Sequence, residues 1–222
     1  MHHKTAESHA HGEAPPTAGR TIRSWARFYD AASWLLSFGR APAIKKMIVE
    51  MAAAVPGEAV LDVGCGTGSL AIALKAEAGA TGEVHGIDAS PEMIEQARRK
   101  AARAGVDAGF EVALIEEMPF TDARFDLVVS SFMLHHLPDD VKRRGLMEVQ
   151  RVLKPGGRLL AVDFGETGTS LIGHLLSVLG HGHGQASLEA LMPVMEDVGF
   201  VEAEVGRTRY RSIAFLRGKA PA

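Results

Sequence analysis

Apolar positions change rhythm twice along this 222-residue chain. Between residues 21 and 54 they recur at helical spacing. Ile22, Trp25, Phe28 and Tyr29 lead into Trp34, Leu35 and Phe38. After a break at Gly39, Arg40 and Pro42, a second set follows, Ile44, Met47, Ile48 and Met51, closed by Pro56 and Gly57. From residue 59 short, continuous apolar runs take over. Runs at 59–63, 83–88, 110–115, 125–131 and 158–164 read as strands, and helices are predicted between them over 69–78, 90–104 and 139–153. Ser90, Pro91 and Glu92 supply a hydroxyl cap, a first-turn proline and an acid at the positive end of the helix dipole. Gly105 stops that helix, and the KPGG run at 154–157 stops the next. The rhythm changes again after Gly165. A helix is predicted over 187–198, ended by Gly199, and strand-like runs at 201–205 and 209–217 predict an antiparallel pair.

Strands apolar on both faces and alternating with helices belong to a parallel sheet covered on both sides. The predicted fold is therefore an α/β, doubly wound, Rossmann-like sheet of seven strands, five parallel plus the C-terminal antiparallel pair. Its ligand belongs outside the carboxyl ends of the strands. Residues 1–19 are polar, small and aperiodic and read as a disordered tail. Residues 20–57 read as an N-terminal helical cap, and 58–222 as the sheet domain.

Composition narrows the function classes. Twenty-four Lys and Arg against 27 Asp and Glu leave a formal net charge of −3, without the basic excess of a nucleic-acid binder. One cysteine, Cys65, excludes an internal disulfide framework and suits a reducing compartment. No apolar run approaches the roughly 20 residues that span a bilayer, and the polar N-terminus lacks a secretory pattern. The expected location is cytoplasmic. His2, His3, His9 and His11 lie in the tail, and His174, His181 and His183 among glycines. Nothing in either stretch fixes a ligand geometry, so no metal site is predicted.

The chemistry-bearing motif is VLDVGCGTG at 60–68, which sets Gly64, Gly66 and Gly68 between a strand and a helix. Glycines there let the backbone turn sharply and approach a ligand, and the helix N-terminus offers free N–H groups. A nicotinamide fingerprint, G-x-G-x-x-G, would place Ser69 at its third glycine, which argues against a dehydrogenase. Asp88 ends the second strand, 20 residues after Gly68, where a carboxylate can accept both hydroxyls of a ribose.

Taken together, VLDVGCGTG (60–68), VHGIDASPEMIEQAR (84–98), MPF (118–120), FDLVVSSFMLHHLP (125–138) and EVQRVLKPGGRLLAVD (148–163) make the chain similar to the class I S-adenosylmethionine-dependent methyltransferases. Within that family it resembles the ubiquinone/menaquinone biosynthesis C-methyltransferases. The resemblance covers roughly residues 58–165; Phe28-Tyr29-Asp30 and Val198-Gly199-Phe200 also fit it. It implies S-adenosyl-L-methionine as cofactor, S-adenosylhomocysteine as product and a small-molecule methyl acceptor. By the same resemblance Asp62, Gly64, Cys65, Gly66 and Gly68 would cradle the methionyl part, and Asp88 would hold the ribose. Ala89 and Met93 would pack on the adenine, Ser130 and Ser131 would end the fourth strand beside the cofactor, and Tyr29 would close over the methyl-donor end. Relatives commonly carry G-D-A before L-P-F, whereas here the Asp position is Leu114. Either Glu116 or a backbone carbonyl replaces that hydrogen bond, or the adenine rests on Leu114 and Ile115.

Methyl transfer from a sulfonium needs an aligned nucleophile and exclusion of water, and a base only when the acceptor arrives protonated. His135, after the fourth strand, and Asp163, ending the fifth, are the candidate proton handlers, with Tyr29 as the closing residue. Cys65 reads as a packing residue. Substrate choice belongs to residues 20–40 and 165–186. The apolar SLIGHLLSVLG stretch within 170–184 suits a lid or a transient contact with a membrane surface. An aromatic and aliphatic entrance (Trp25, Phe28, Trp34, Phe38, Leu171, Leu175) points to a partly hydrophobic acceptor: a lipid head group, a quinone-like ring or another metabolite. The rival reading is a catalytically silent cofactor-binding partner or sensor.

Overall fold

The computed structural model describes residues 39–165 and 188–222. Helix α1 (Ala41–Ala52) starts with a proline in its first turn and turns its buried side, Met47, Ile48 and Ala52, to the sheet. Then follow β1 (Ala59–Val63), α2 (Ser69–Ala78), β2 (Glu83–Asp88), α3 (Pro91–Ala104), β3 (Gly109–Val112), β4 (Phe125–Ser131), α4 (Asp139–Val152) and β5 (Leu153–Phe164). Helix α5 (Met192–Asp197), β6 (Val201–Arg207) and β7 (Ile213–Lys219) complete the chain. Ser90 caps α3 as expected, its Oγ accepting from the Met93 amide at 3.3 Å, and Gly105 ends the helix in the left-handed region.

The seven strands lie in the order β3-β2-β1-β4-β5-β7-β6. The first five are parallel, and β7 runs antiparallel to both β5 and β6. Strand order reverses between β1 and β4, which opens a crevice outside their carboxyl ends, where Val63 pairs with Ser130. Each face of the sheet carries its own core. Leu61, Val63, Ile87 and Val128 pack with α4 and Met195 of α5 on one face. Val60, Val84, Leu127 and Val129 pack with α1, α2 and α3 on the other. Two buried faces are why the strands read as continuous apolar runs.

Several expected boundaries move, and β6 and β7 each run two residues past their expected ends. The third strand stops at Val112 rather than 115, because its partner, β2, ends where Asp88 meets Val112. Residues 154–157 do not sit outside the sheet: β5 begins at Leu153, straight from α4. Its pairing with β4 jumps from Phe125↔Leu153 to Leu127↔Arg158, so the glycines form a bulge, with Gly156 at φ +73°. The helix expected over 187–198 is a 3₁₀ turn, Leu188–Leu191, followed by the short α5, whose first turn holds Pro193. The last strand begins at Ile213, four residues later than expected, because Thr208 closes a turn by accepting from the Tyr210 amide at 3.1 Å. No helix among the described residues is long and apolar enough to cross a membrane.

Candidate functional site

The loop leaving β1 folds back onto β2. The amides of Gly64 and Cys65 both donate to the Ile87 carbonyl, at 2.8 and 2.9 Å, and the Gly66 amide donates to Asp88 Oδ2 at 2.9 Å. Gly64, Gly66 and Gly68 all lie at positive φ, a conformation that an L side chain resists. Crowding adds a second reason at two of them. A Cβ on Gly64 would stand 2.5 Å from Met133 Cγ, and one on Gly68 would stand 2.8 Å from Ala97 and from the Phe110 ring. The first glycine therefore admits Met133 over the loop, and the last lets α2 and α3 meet the sheet.

Two carboxylates flank this loop differently. Asp62 lies beneath it, fully buried, and neither side-chain oxygen has a hydrogen-bond partner among the described residues. Burial pushes its carboxyl up to about 7; the Ala71 amide in the first turn of α2 opposes this without meeting hydrogen-bond geometry, and the Asp88 charge adds to it. Asp88 is half-buried at the end of β2, with Oδ1 accepting from the Ser90 amide at 2.9 Å and Oδ2 from Gly66. Burial raises its carboxyl too, and those two amides pull the other way. With one bond made per oxygen, each retains acceptor capacity for a ligand diol.

The remaining expected residues fall around this crevice unevenly. Met93 is buried in the first turn of α3, and Ala89 is half-buried before it. Leu114 and Glu116 are half-buried in the turn after β3, where Leu114 bridges to Glu117. The Ile115 side chain is spent on packing, since a Cβ on Gly145 of α4 would stand 2.8 Å from it. Ser130 and Ser131 end β4; the Ser130 hydroxyl is buried without a hydrogen-bond partner among the described residues. Cys65 is buried, and burial pushes its thiol well above the usual range, as suits a packing residue. Tyr29 and the 170–184 stretch lie outside the described residues.

His135 and Asp163 come together. His135 sits in the 3₁₀ turn Leu134–His136 after β4, with Nδ1 2.6 Å from Asp163 Oδ1 at the end of β5. Its own amide donates to Asp163 Oδ2 at 3.0 Å, and the Phe164 amide donates to Oδ1 at 2.8 Å. The Asp163 side chain is 3% exposed and that of His135 16%. A buried carboxylate accepting at Nδ1 fixes the tautomer and leaves Nε2 as the acceptor. The His136 ring lies 3.8 Å from that of His135, and Phe164 flanks it at 5.1 Å.

Three further residues shape the site: Phe132 and Met133, which lie within the FDLVVSSFMLHHLP motif without being singled out there, and Lys100, which lies outside every motif. Phe132 takes φ +53° while its amide donates to the Val162 carbonyl, and its ring lies 5.1 Å from Phe164. Met133 follows it onto Gly64. Lys100 of α3 reaches the glycine loop, donating to Thr67 Oγ1 at 2.8 Å and Ser69 Oγ at 2.7 Å. That contact spans 33 positions, beyond any local pattern.

A methyltransferase-domain family model matches residues 60–157. The chain is 34% identical over 165 residues to the ubiquinone/menaquinone biosynthesis C-methyltransferase UbiE of Bdellovibrio bacteriovorus, a match covering 74% of this chain and 69% of that protein. It is 39% identical over 136 residues to the demethylmenaquinone methyltransferase of Thermus thermophilus, covering 61% of this chain and 60% of the relative. The fold is shared with the phosphoethanolamine N-methyltransferase 2 of Haemonchus contortus, solved in complex with S-adenosyl-L-methionine. That likeness has a TM-score of 0.67 at 19% identity and covers 81% of this chain and 53% of that one.

Proposed function

This chain belongs to the class I S-adenosylmethionine-dependent methyltransferases, in the UbiE-like group, and on that premise we propose that it methylates a ring carbon of a small, partly hydrophobic, quinone-like acceptor. The residues suit the cofactor. The Asp62 carboxyl, without a hydrogen-bond partner among the described residues, would compensate the charge of the cofactor's ammonium group through the glycine loop, its own oxygens being covered. Asp88, fixed by two amides, would take the ribose hydroxyls. Gly66 would bring bare backbone to the methionyl chain, while Gly64 and Gly68 shape the loop by yielding their space to Met133 and to Ala97 and Phe110. Half-buried Leu114 would face the adenine in place of the acid that relatives commonly carry. When bound, the cofactor supplies an electrophilic methyl group on a sulfonium.

The observation carrying the acceptor reading is the His135–Asp163 pair. Placing a methyl on a ring carbon displaces that carbon's proton, which must be taken up whether or not a phenolic hydroxyl is ionised first. His135 would take it at Nε2 while Asp163 holds Nδ1–H and stabilises the imidazolium that forms. Phe132 and Phe164, whose rings lie beside the pair, would offer the acceptor ring an apolar wall. The names of the relatives point to the same acceptor class.

The test is transfer of labelled methyl to a reduced demethylated quinone by the wild type and by His135→Gln. The variant should lose on the order of 10²-fold or more in kcat with cofactor affinity unchanged. A variant as active as the wild type would remove the base assignment. Absence of transfer by the wild type to any quinol would remove the acceptor class.

A further inference from the structure

We infer that the corner where α1 meets the β6–β7 turn docks on an anionic lipid surface. The turn carries the run RTRYR at 207–211, and α1 begins beside Arg40 and carries Lys45 and Lys46. Contacts from one residue, Arg209, join them, the longer spanning 166 positions. Arg209 donates to the Ala43 carbonyl at 3.3 Å and lies 3.9 Å from Glu50, which also pairs with Lys46 at 3.9 Å.

Charge is concentrated here against the trend of the chain. Residues 39–50 and 207–212 hold six Lys and Arg and one acid, Glu50, in a protein whose net charge is −3. Arg40, Arg207 and Arg211 are exposed and form no ion pair among the described residues. The Lys46 side chain is 77% exposed. Cations left unpaired on a corner of a net-acidic surface form a local positive field, and such a field is attracted to a negative membrane leaflet.

An apolar group completes the surface. The turn lies at the carboxyl end of the sheet, because Phe164 at the end of β5 pairs with Ile213 and the Gly165 amide donates to the Ser212 carbonyl at 3.0 Å. Phe164 is 45% exposed there, and the Tyr210 ring stands under the Arg209 guanidinium, with the carbon 5.5 Å from its centroid. Basic groups on the same edge as an exposed aromatic side chain match a lipid interface, where cations meet phosphates and apolar groups meet the acyl boundary. A nucleic acid would instead need a longer basic track. The same edge bears the crevice, so docking would turn its mouth toward the bilayer. The cations and Phe164 carry this inference without the quinone reading, and the test is a binding measurement that needs no methyl transfer.

Full-length protein is floated with vesicles of phosphatidylcholine alone and with vesicles containing phosphatidylglycerol. Binding is expected only to the latter and should weaken as salt rises. The triple reversal Lys46→Glu, Arg207→Glu, Arg211→Glu should bind at least about tenfold more weakly at unchanged melting temperature and cofactor affinity. The Gln version of the same triple gives the same direction if the reversal fails to fold. Reversal of Arg99, Arg103 and Arg144, exposed cations elsewhere, should leave binding intact. Equal binding to neutral vesicles, or an equal loss in the two reversal sets, would overturn the inference. So would tighter binding of a single-stranded RNA at the same salt, abolished by the first triple.

Discussion

Asp62 is a costly electrostatic choice at the site: a carboxyl sealed under a glycine loop, with neither oxygen hydrogen-bonded among the described residues. An unfolded aspartate titrates at ~3.9. Since folding raises the Asp62 carboxyl to about 7, the folded chain holds this proton over a window in which the unfolded chain has released it. The contribution of Asp62 to stability is therefore fully present below about pH 4 and is lost as pH rises to about 7. A gap of that size corresponds to roughly 4 kcal/mol. Asp62→Asn never ionises, so its stability relative to the wild type should climb between about pH 5 and about pH 8. Urea unfolding at the two pH values measures this, and a constant difference would mean that the buried carboxylate is stabilised in a way the hydrogen-bond geometry does not reveal. The cofactor ammonium proposed to bind above the loop would offset part of that lost solvation. Phe132 repeats the theme in the backbone: its positive φ costs roughly 1–2 kcal/mol and sets Met133 against Gly64.

Elements are held in place by charged groups that span long stretches of chain. Arg158 of β5 grips Glu58 with both nitrogens, at 2.6 and 2.8 Å, and also donates to the Ala53 carbonyl at 2.9 Å. That hydrogen bond from Arg158 keeps the Glu58 carboxyl below its usual range, against the cost of burial. The cluster fastens the end of α1 to the sheet. Arg158→Ala should therefore destabilise the protein by about 1.5–3 kcal/mol, the loss expected for hydrogen bonds to charged groups. A denaturation midpoint unmoved by the substitution would show that apolar burial of Met47 and Ile48 alone docks the helix. Arg151 does the same for the MPF segment, donating to the carbonyls of Met118 and Phe120 while it pairs with Glu148. Such clamps explain why a sequence motif without regular structure of its own still has a fixed path past the site. Local signals were legible where the cause was local, as with the Ser90 cap and Gly105. They failed where a neighbour decided. The third strand ends when β2 ends, and the KPGG run enters β5 because β4 accepts it through a bulge.

At the scale of the whole molecule, the crevice exists because strand order reverses between β1 and β4, with both faces of the sheet filled by separate cores. A ligand held there binds only the folded chain and must stabilise it by mass action. At a hundredfold excess over Kd the gain is about 2.7 kcal/mol, or roughly 5–10 °C in Tm for a chain of this length. S-adenosyl-L-methionine should produce that shift in the wild type, and Asp88→Ala should need at least about tenfold more cofactor for the same shift. An identical titration of the two proteins would detach Asp88 from the ribose.

The amino-acid order alone determined the parts whose physics is short-range. Gly64, Gly66 and Gly68 had to follow a buried strand at that spacing for the turn to close, Asp88 had to end the next strand, and the apolar runs had to face helices on both sides. Folding in three dimensions decided everything that depends on strand neighbours. His135 and Asp163 stand 28 positions apart and meet because β4 and β5 lie side by side. Lys100 finds Thr67, and the basic turn finds α1, for the same reason. No periodicity records such meetings, since they are fixed by the order in which the strands assemble rather than by the residues that precede and follow them.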